Sequence, residues 1–184
     1  MKMEYHLSLP IGSKQIKELH VGDIVFLTGE IFTARDEAHH KMLHLDPRSM
    51  PFSPLKMGLF HCGPLVKKID KGWEVVSAGP TTSSRMEIFE DKFIEKFHIS
   101  IIIGKGGMGE KTAKALQKYT CIYTSYTGGA GALAADRIDE VKNVYWLDEL
   151  GMPEAVWILN VKEFGPLIVS MDSHGNSLYK QQKN

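Results

Sequence analysis

The stretch Ile99-Ser100-Ile101-Ile102-Ile103-Gly104-Lys105-Gly106-Gly107-Met108-Gly109-Glu110-Lys111-Thr112-Ala113-Lys114-Ala115-Leu116-Gln117-Lys118-Tyr119-Thr120-Cys121-Ile122-Tyr123-Thr124 decides the fold class. Residues 99–103 are apolar apart from Ser100 and do not alternate, as suits a strand buried on both faces. A glycine loop follows at 104–109. Residues 110–118 have helix-forming composition, and 121–124 read as a second strand. Strand, crossover helix and strand make a βαβ unit, and such units build a parallel or mixed sheet.

Upstream the same alternation continues. Residues 74–78 read as a strand and 79–84 as a turn. A helix then runs to about Phe97, with Met86, Phe89, Phe93 and Phe97 spaced by three and four. Ser84 and Glu87 fit a capping box at its start. Earlier, residues 24–27 predict a strand, Thr33 an N-cap, and 34–43 a helix. The proline-bearing segment 46–58 predicts a loop. Downstream, Gly128-Gly129-Ala130-Gly131 punctuates the chain before a predicted helix from Ala132 to about Val141. Strands are predicted near 144–147, 156–161 and 167–171. The expectation is an α/β fold, one domain over 1–184, with a parallel or mixed central sheet.

Lys and Arg together number 22, as do Asp and Glu, so the chain is formally neutral. Neutrality gives no electrostatic argument for binding nucleic acid or a membrane surface. The N-terminus lacks an apolar core of signal length, and no apolar run reaches the length of a bilayer span. A cytoplasmic protein is expected. Cys62 and Cys121 are too few for a disulfide framework and read as reduced thiols. Two thiols also fall short of an iron–sulfur ligand set.

Three turns carry the chemistry. In Gly79-Pro80-Thr81-Thr82-Ser83-Ser84-Arg85, four hydroxyl residues and an arginine sit at a helix start, where free N–H groups attract anions. N-capping alone would need one hydroxyl. Residues 104–109 match G-x-G-x-x-G between a strand and a helix. The acid expected about 20 residues later is missing from the segment Thr124-Ser125-Tyr126-Thr127, and Gly106 after Lys105 rules out a Walker A loop. What remains is a cradle with an ammonium for a small anion, or a tight turn that needs glycine. The third turn, residues 33–40, holds Arg35 beside Asp36, either an exposed ion pair or a carboxylate clamp. His40 and His44 share a helical face without a third ligand, so a solvated face is expected there. The His61-Cys62 pair reads as structural, because sequence neighbours rarely form a nucleophile–base dyad.

Together T-A-R-D-E-A-H at 33–39, H-C-G-P at 61–64, A-G-P-T-T-S-S-R-M at 78–86, I-G-K-G-G-M-G at 103–109 and V-K-E-F-G-P-L-I-V at 161–169 resemble one family. It is the β subunit, or C-terminal domain, of class I iron–sulfur fumarate hydratases and L-tartrate dehydratases. The resemblance implies a swivelling three-layer β/β/α domain. It also implies a partner α subunit whose cysteines hold a 4Fe-4S cluster, in an α2β2 assembly, with the cluster acting as Lewis acid on the leaving hydroxyl. No metal or cofactor ligand is expected in this chain. By matching positions, Arg35, Arg85 and Lys105 would bind the dicarboxylate and Thr81 would take the C3 proton. Fumarate is the first expectation, because its hydration is a common metabolic role, and L-tartrate is the alternative. A nucleotide-binding module using the loop at 104–109, and a pure scaffold subunit, are the competing classes.

Overall fold

The computed structural model describes residues 2–55, 57–126 and 131–179. Nine strands are named in chain order: β1 (Glu4–Ser8), β2 (Ile24–Thr33), β3 (Gly58–Phe60), β4 (Leu65–Ile69), β5 (Gly72–Ser77), β6 (Ile101–Gly104), β7 (Ile122–Tyr126), β8 (Ile138–Tyr145) and β9 (Val156–Met171). The α-helices are α1 (Ser13–Glu18), α2 (Asp36–His44), α3 (Glu87–Phe97), α4 (Glu110–Tyr119), α5 (Gly131–Ala135) and α6 (Leu147–Leu150). The architecture is α/β around a mixed central sheet, as the alternation predicts.

Strands β1 and β3 pair in parallel with successive halves of β2, and β3, β6 and β7 continue the parallel order. Long β9 then runs antiparallel to β7, β8 and β2. Because β9 reaches both β7 and β2, the pairings β2–β3–β6–β7–β9 close on themselves. A closed ring leaves fewer exposed backbone edges than an open sheet.

Side chains on a strand alternate between its faces, and β6 shows what this does. Ile101 and Ile103 enter one core with Leu27, Ile31, Phe60 and Leu167, which α1 and the β4–β5 hairpin help cover. Ile102 enters a second core with Phe32, Leu59 and Tyr123, under α2, α3 and α4. All three isoleucines are fully buried, each such burial contributing roughly 1.5–3 kcal/mol.

Several local expectations change. Thr33 ends β2 rather than capping a helix: its hydroxyl accepts the Trp157 N–H at 3.0 Å, and Arg35 is the N-cap of α2. No capping box forms at Ser84. A 3-10 turn, Ser83–Met86, leads into α3 instead. The predicted helix from Ala132 shortens to α5, and the rest of that segment becomes β8, because half of β9 needs an edge partner. The predicted strands at 156–161 and 167–171 join as one. Gly128, Gly129 and Ala130 lie outside the described residues. No helix among the described residues is long and apolar enough to cross a membrane.

Candidate active site

Parallel strands end on the same side of a sheet, and ligand sites of α/β folds favour that edge. Strand β2 delivers Arg35 two residues beyond its end, β3 delivers His61 to Gly63, and β6 delivers Lys105. The segment carrying Thr81 is laid across these ends by backbone bonds. Thr81 N–H donates to the His61 carbonyl at 2.8 Å, and Ser83 N–H donates to the Lys105 carbonyl at 3.0 Å. Bridges Cys62–Pro80 and Thr82–Lys105 continue the pairing.

Arg85 reaches back from the 3-10 turn. Its Nη2 donates to Thr81 Oγ1 at 3.0 Å and to Asp36 Oδ2 at 3.2 Å. Arg35 packs against Gly63, where a Cβ would lie 2.8 Å from Arg35 Nη1, so the glycine there makes room for the guanidinium. Arg35 Nε lies 3.2 Å from Glu154 Oε1. The other oxygen of Glu154 accepts the Glu37 N–H at 3.0 Å. Lys105 is exposed, and its ammonium makes no ion pair among the described residues. The fold therefore brings the segments of Arg35, Thr81, Arg85 and Lys105 to one edge. Asp36, expected as a possible partner of Arg35, pairs with Arg85 instead, and Glu154, which carries no motif signal in the sequence, stands beside Arg35.

The glycine loop at 104–109 is built differently from a phosphate cradle. The carboxylate of Glu87 accepts N–H bonds from Gly109 at 2.7 Å, Lys111 at 3.1 Å and Thr112 at 3.3 Å, and the Thr112 hydroxyl at 2.6 Å. The N-terminus of α4 is thus already occupied by an anion of the chain itself. That removes the donors a nucleotide pyrophosphate would use. Gly104 answers to a close approach: a Cβ there would fall 1.9 Å from Ser83 Oγ.

Beneath the edge lie three fully buried polar residues, His39, His61 and Glu90. Their ligand atoms lie within 4.8 Å of one another. Glu90 Oε2 is 3.0 Å from His61 Nε2 and 3.4 Å from His39 Nε2. Neither contact has hydrogen-bond alignment. Burial alone would raise the Glu90 pKa, but the two imidazoles outweigh it and hold the carboxyl at about 2. Burial pushes the His61 pKa down, against the opposing pull of Glu90. These two histidines and one carboxylate are the group among the described residues that could hold a metal ion.

His40 and His44 are both exposed and lack a third ligand among the described residues; His44 Nδ1 bonds the His40 carbonyl at 2.7 Å. Cys62 and Cys121 are free and buried. Burial raises both thiol pKa values, which makes them poor nucleophiles.

A family model described as Fumarase C-terminus matches residues 2–182. The L(+)-tartrate dehydratase subunit beta of Escherichia coli strain K12 is 44% identical over 181 residues, 98% of this chain and 89% of that protein. A Methanocaldococcus jannaschii protein provisionally named for the same subunit is 49% identical over 181 residues, 97% of this chain and 92% of its own length. A Geobacillus stearothermophilus protein provisionally named as a class I fumarate hydratase is 44% identical over 178 residues, 95% of this chain and 33% of that protein.

Proposed function

The chain belongs to the Fumarase C-terminus family, and on that premise we propose that it is the β subunit of an iron–sulfur hydro-lyase acting on a small dicarboxylate. The observation that carries this reading is the cationic edge described above, where Arg85 Nη2 donates to Thr81 Oγ1 at 3.0 Å. A dicarboxylate asks for two charge-assisted partners. Arg35, Arg85 and Lys105 supply them. Both Nη2 hydrogens of Arg85 go to protein oxygens, which leaves Nε or Nη1 for a single contact to a carboxylate. Thr81 handles the proton at C3. To act as a base Thr81 must first release its own hydroxyl proton to solvent, and the hydrogen bond from Arg85 favours the alkoxide that then accepts the C3 proton.

A 4Fe-4S cluster belongs to this reading, but this chain does not fit it. Clusters are held by thiolates, and Cys62 and Cys121 are buried in separate cores with raised pKa values. The cluster resides in an α subunit, and the two chains assemble as α2β2 in the cytoplasm.

Fumarate and L-malate are the first substrate pair. L(+)-tartrate is the second reading, favoured by the near full-length match to subunits named for it. The test is to co-produce the chain with its α subunit without oxygen. Fumarate formation from L-malate and oxaloacetate formation from L(+)-tartrate are then measured. Turnover of neither acid sinks the proposal. The isolated chain, incubated with iron and sulfide, is expected to stay colourless and inactive. A stable cluster on this chain alone would reverse the division of labour.

A further inference from the structure

His39, His61, Ser83 and Glu90 take no part in the reading above, yet they tie its parts together. His39 Nδ1 donates to the Arg35 carbonyl at 2.7 Å. His61 Nδ1 lies 2.9 Å from Ser83 Oγ, and that same oxygen accepts the Lys105 N–H at 3.2 Å. The His61 carbonyl holds the Thr81 N–H at 2.8 Å. Glu90 Oε2 stands between the two imidazoles. A chain of contacts therefore runs from the backbone of Arg35, through His39, Glu90, His61 and Ser83, to the backbone of Lys105, hydrogen-bonded at its two ends and joined at Glu90 by close contacts of 3.4 and 3.0 Å, with Thr81 attached midway.

We propose that Glu90, with His39, His61 and Ser83, is a positioning network that sets the spacing of the Arg35, Thr81 and Lys105 segments. The proposal rests on the function argued above. Burying a carboxylate is costly, and an apolar side chain would fill the same space more cheaply. Phe93, whose ring lies 4.4 Å from that of His39, shows that apolar packing suits these surroundings. A buried polar network, by contrast, selects one arrangement of the elements it joins. Here those elements are α2, β3, α3 and β6, which bear the site. A metal ion held by His39, His61 and Glu90 is the rival account. Among the described residues no fourth donor joins them, and metal content of the purified chain separates the two accounts.

Two variants test the network. Ser83→Ala cuts the tie between His61 and the Lys105 amide. Glu90→Gln keeps the shape and removes the charge. Hydrogen–deuterium exchange is read on the isolated chain, and steady-state kinetics on the enzyme assembled with its α subunit. In both variants exchange is expected to rise about tenfold or more in peptides covering 33–37, 80–86 and 104–107, with the core strands unchanged. Loss of kcat/KM of about ten- to a hundredfold is expected. Ser83→Ala should act more on KM, through Lys105, and Glu90→Gln on both parameters. Folded variants within twofold of wild type, or an exchange increase spread evenly over the chain, overturn the proposal. So does one equivalent of bound metal in the wild type that Glu90→Gln abolishes. If the wild-type assembly turns over neither acid, the functional reading falls, while the exchange data still decide whether the network positions these segments.

Discussion

An arginine that spends hydrogens on its own protein has fewer left for a ligand, and Arg85 divides its donors in this way between Asp36, Thr81 and open space. Arg85→Ala in the assembled enzyme is expected to lower kcat/KM by about ten- to over a hundredfold, the size of one lost charge-assisted contact. Arg85→Lys should recover only part of it, since an ammonium cannot reach Asp36, Thr81 and a carboxylate in fixed directions. Thr81→Ala removes no charge. If its hydroxyl acts in the transition state, kcat should fall more than KM rises, and Thr81→Ser should keep part of the rate. Steady-state kinetics beside circular dichroism check these expectations, and unchanged kcat in folded Thr81→Ala removes that residue from the chemistry. Motif matching singles out Arg35, Thr81, Arg85 and Lys105. It passes over Glu90, whose partners lie far away in sequence. One local signal was present: Glu90 falls four residues after Met86 and three before Phe93, on the stripe that α3 buries. A carboxylate on an apolar stripe announces a partner, though not which one.

Helix α4 begins on a carboxylate from the neighbouring helix, so α3 and α4 are joined by more than apolar contact. Glu87→Ala leaves the Gly109, Lys111 and Thr112 amides unpaired. We expect a loss of about 1–2 kcal/mol, the usual worth of an N-terminal cap with its dipole contribution, measured by urea unfolding. A change below a few tenths would show that solvent serves α4 equally well. The sequence marks Glu87 as a capping residue but assigns it to the wrong helix, because local spacing cannot see a helix that packs alongside. Strand β9 illustrates the opposite error. Two strands are expected near 156–161 and 167–171, yet one strand continues through, with an irregularity at Glu163 (φ 50) where its edge partner changes from β8 to β7. The segment after α5 has fair helical composition, and pairing with β9 overrides it. The βαβ run 99–124, whose contacts are local, is legible in full.

At the scale of the whole molecule, the buried charges make stability depend on pH. The Glu90 carboxyl is held below its ordinary 4.5, at about 2, so the unfolded chain binds more protons over that range. Stability is present above pH 4.5 and lost as pH falls toward 2. His61 is held below its ordinary 6.5 by burial, which has the same sign and starts the decline near pH 6.5. Unfolding free energy measured against pH should therefore fall from about 6.5 downward, and Glu90→Gln should flatten the part below 4.5. An unchanged acid limb in that variant would place the acid sensitivity elsewhere. The closed ring of strands carries a further consequence, one of timing. As the chain leaves the ribosome, β2 emerges well before β9, the partner for its second edge. Val25 must wait for Leu167, so a growing chain holds an apolar strand with one edge unpaired until β9 is made. Such long-range closure makes folding slow and leaves the nascent chain prone to aggregation, which makes this fold a natural client for chaperones.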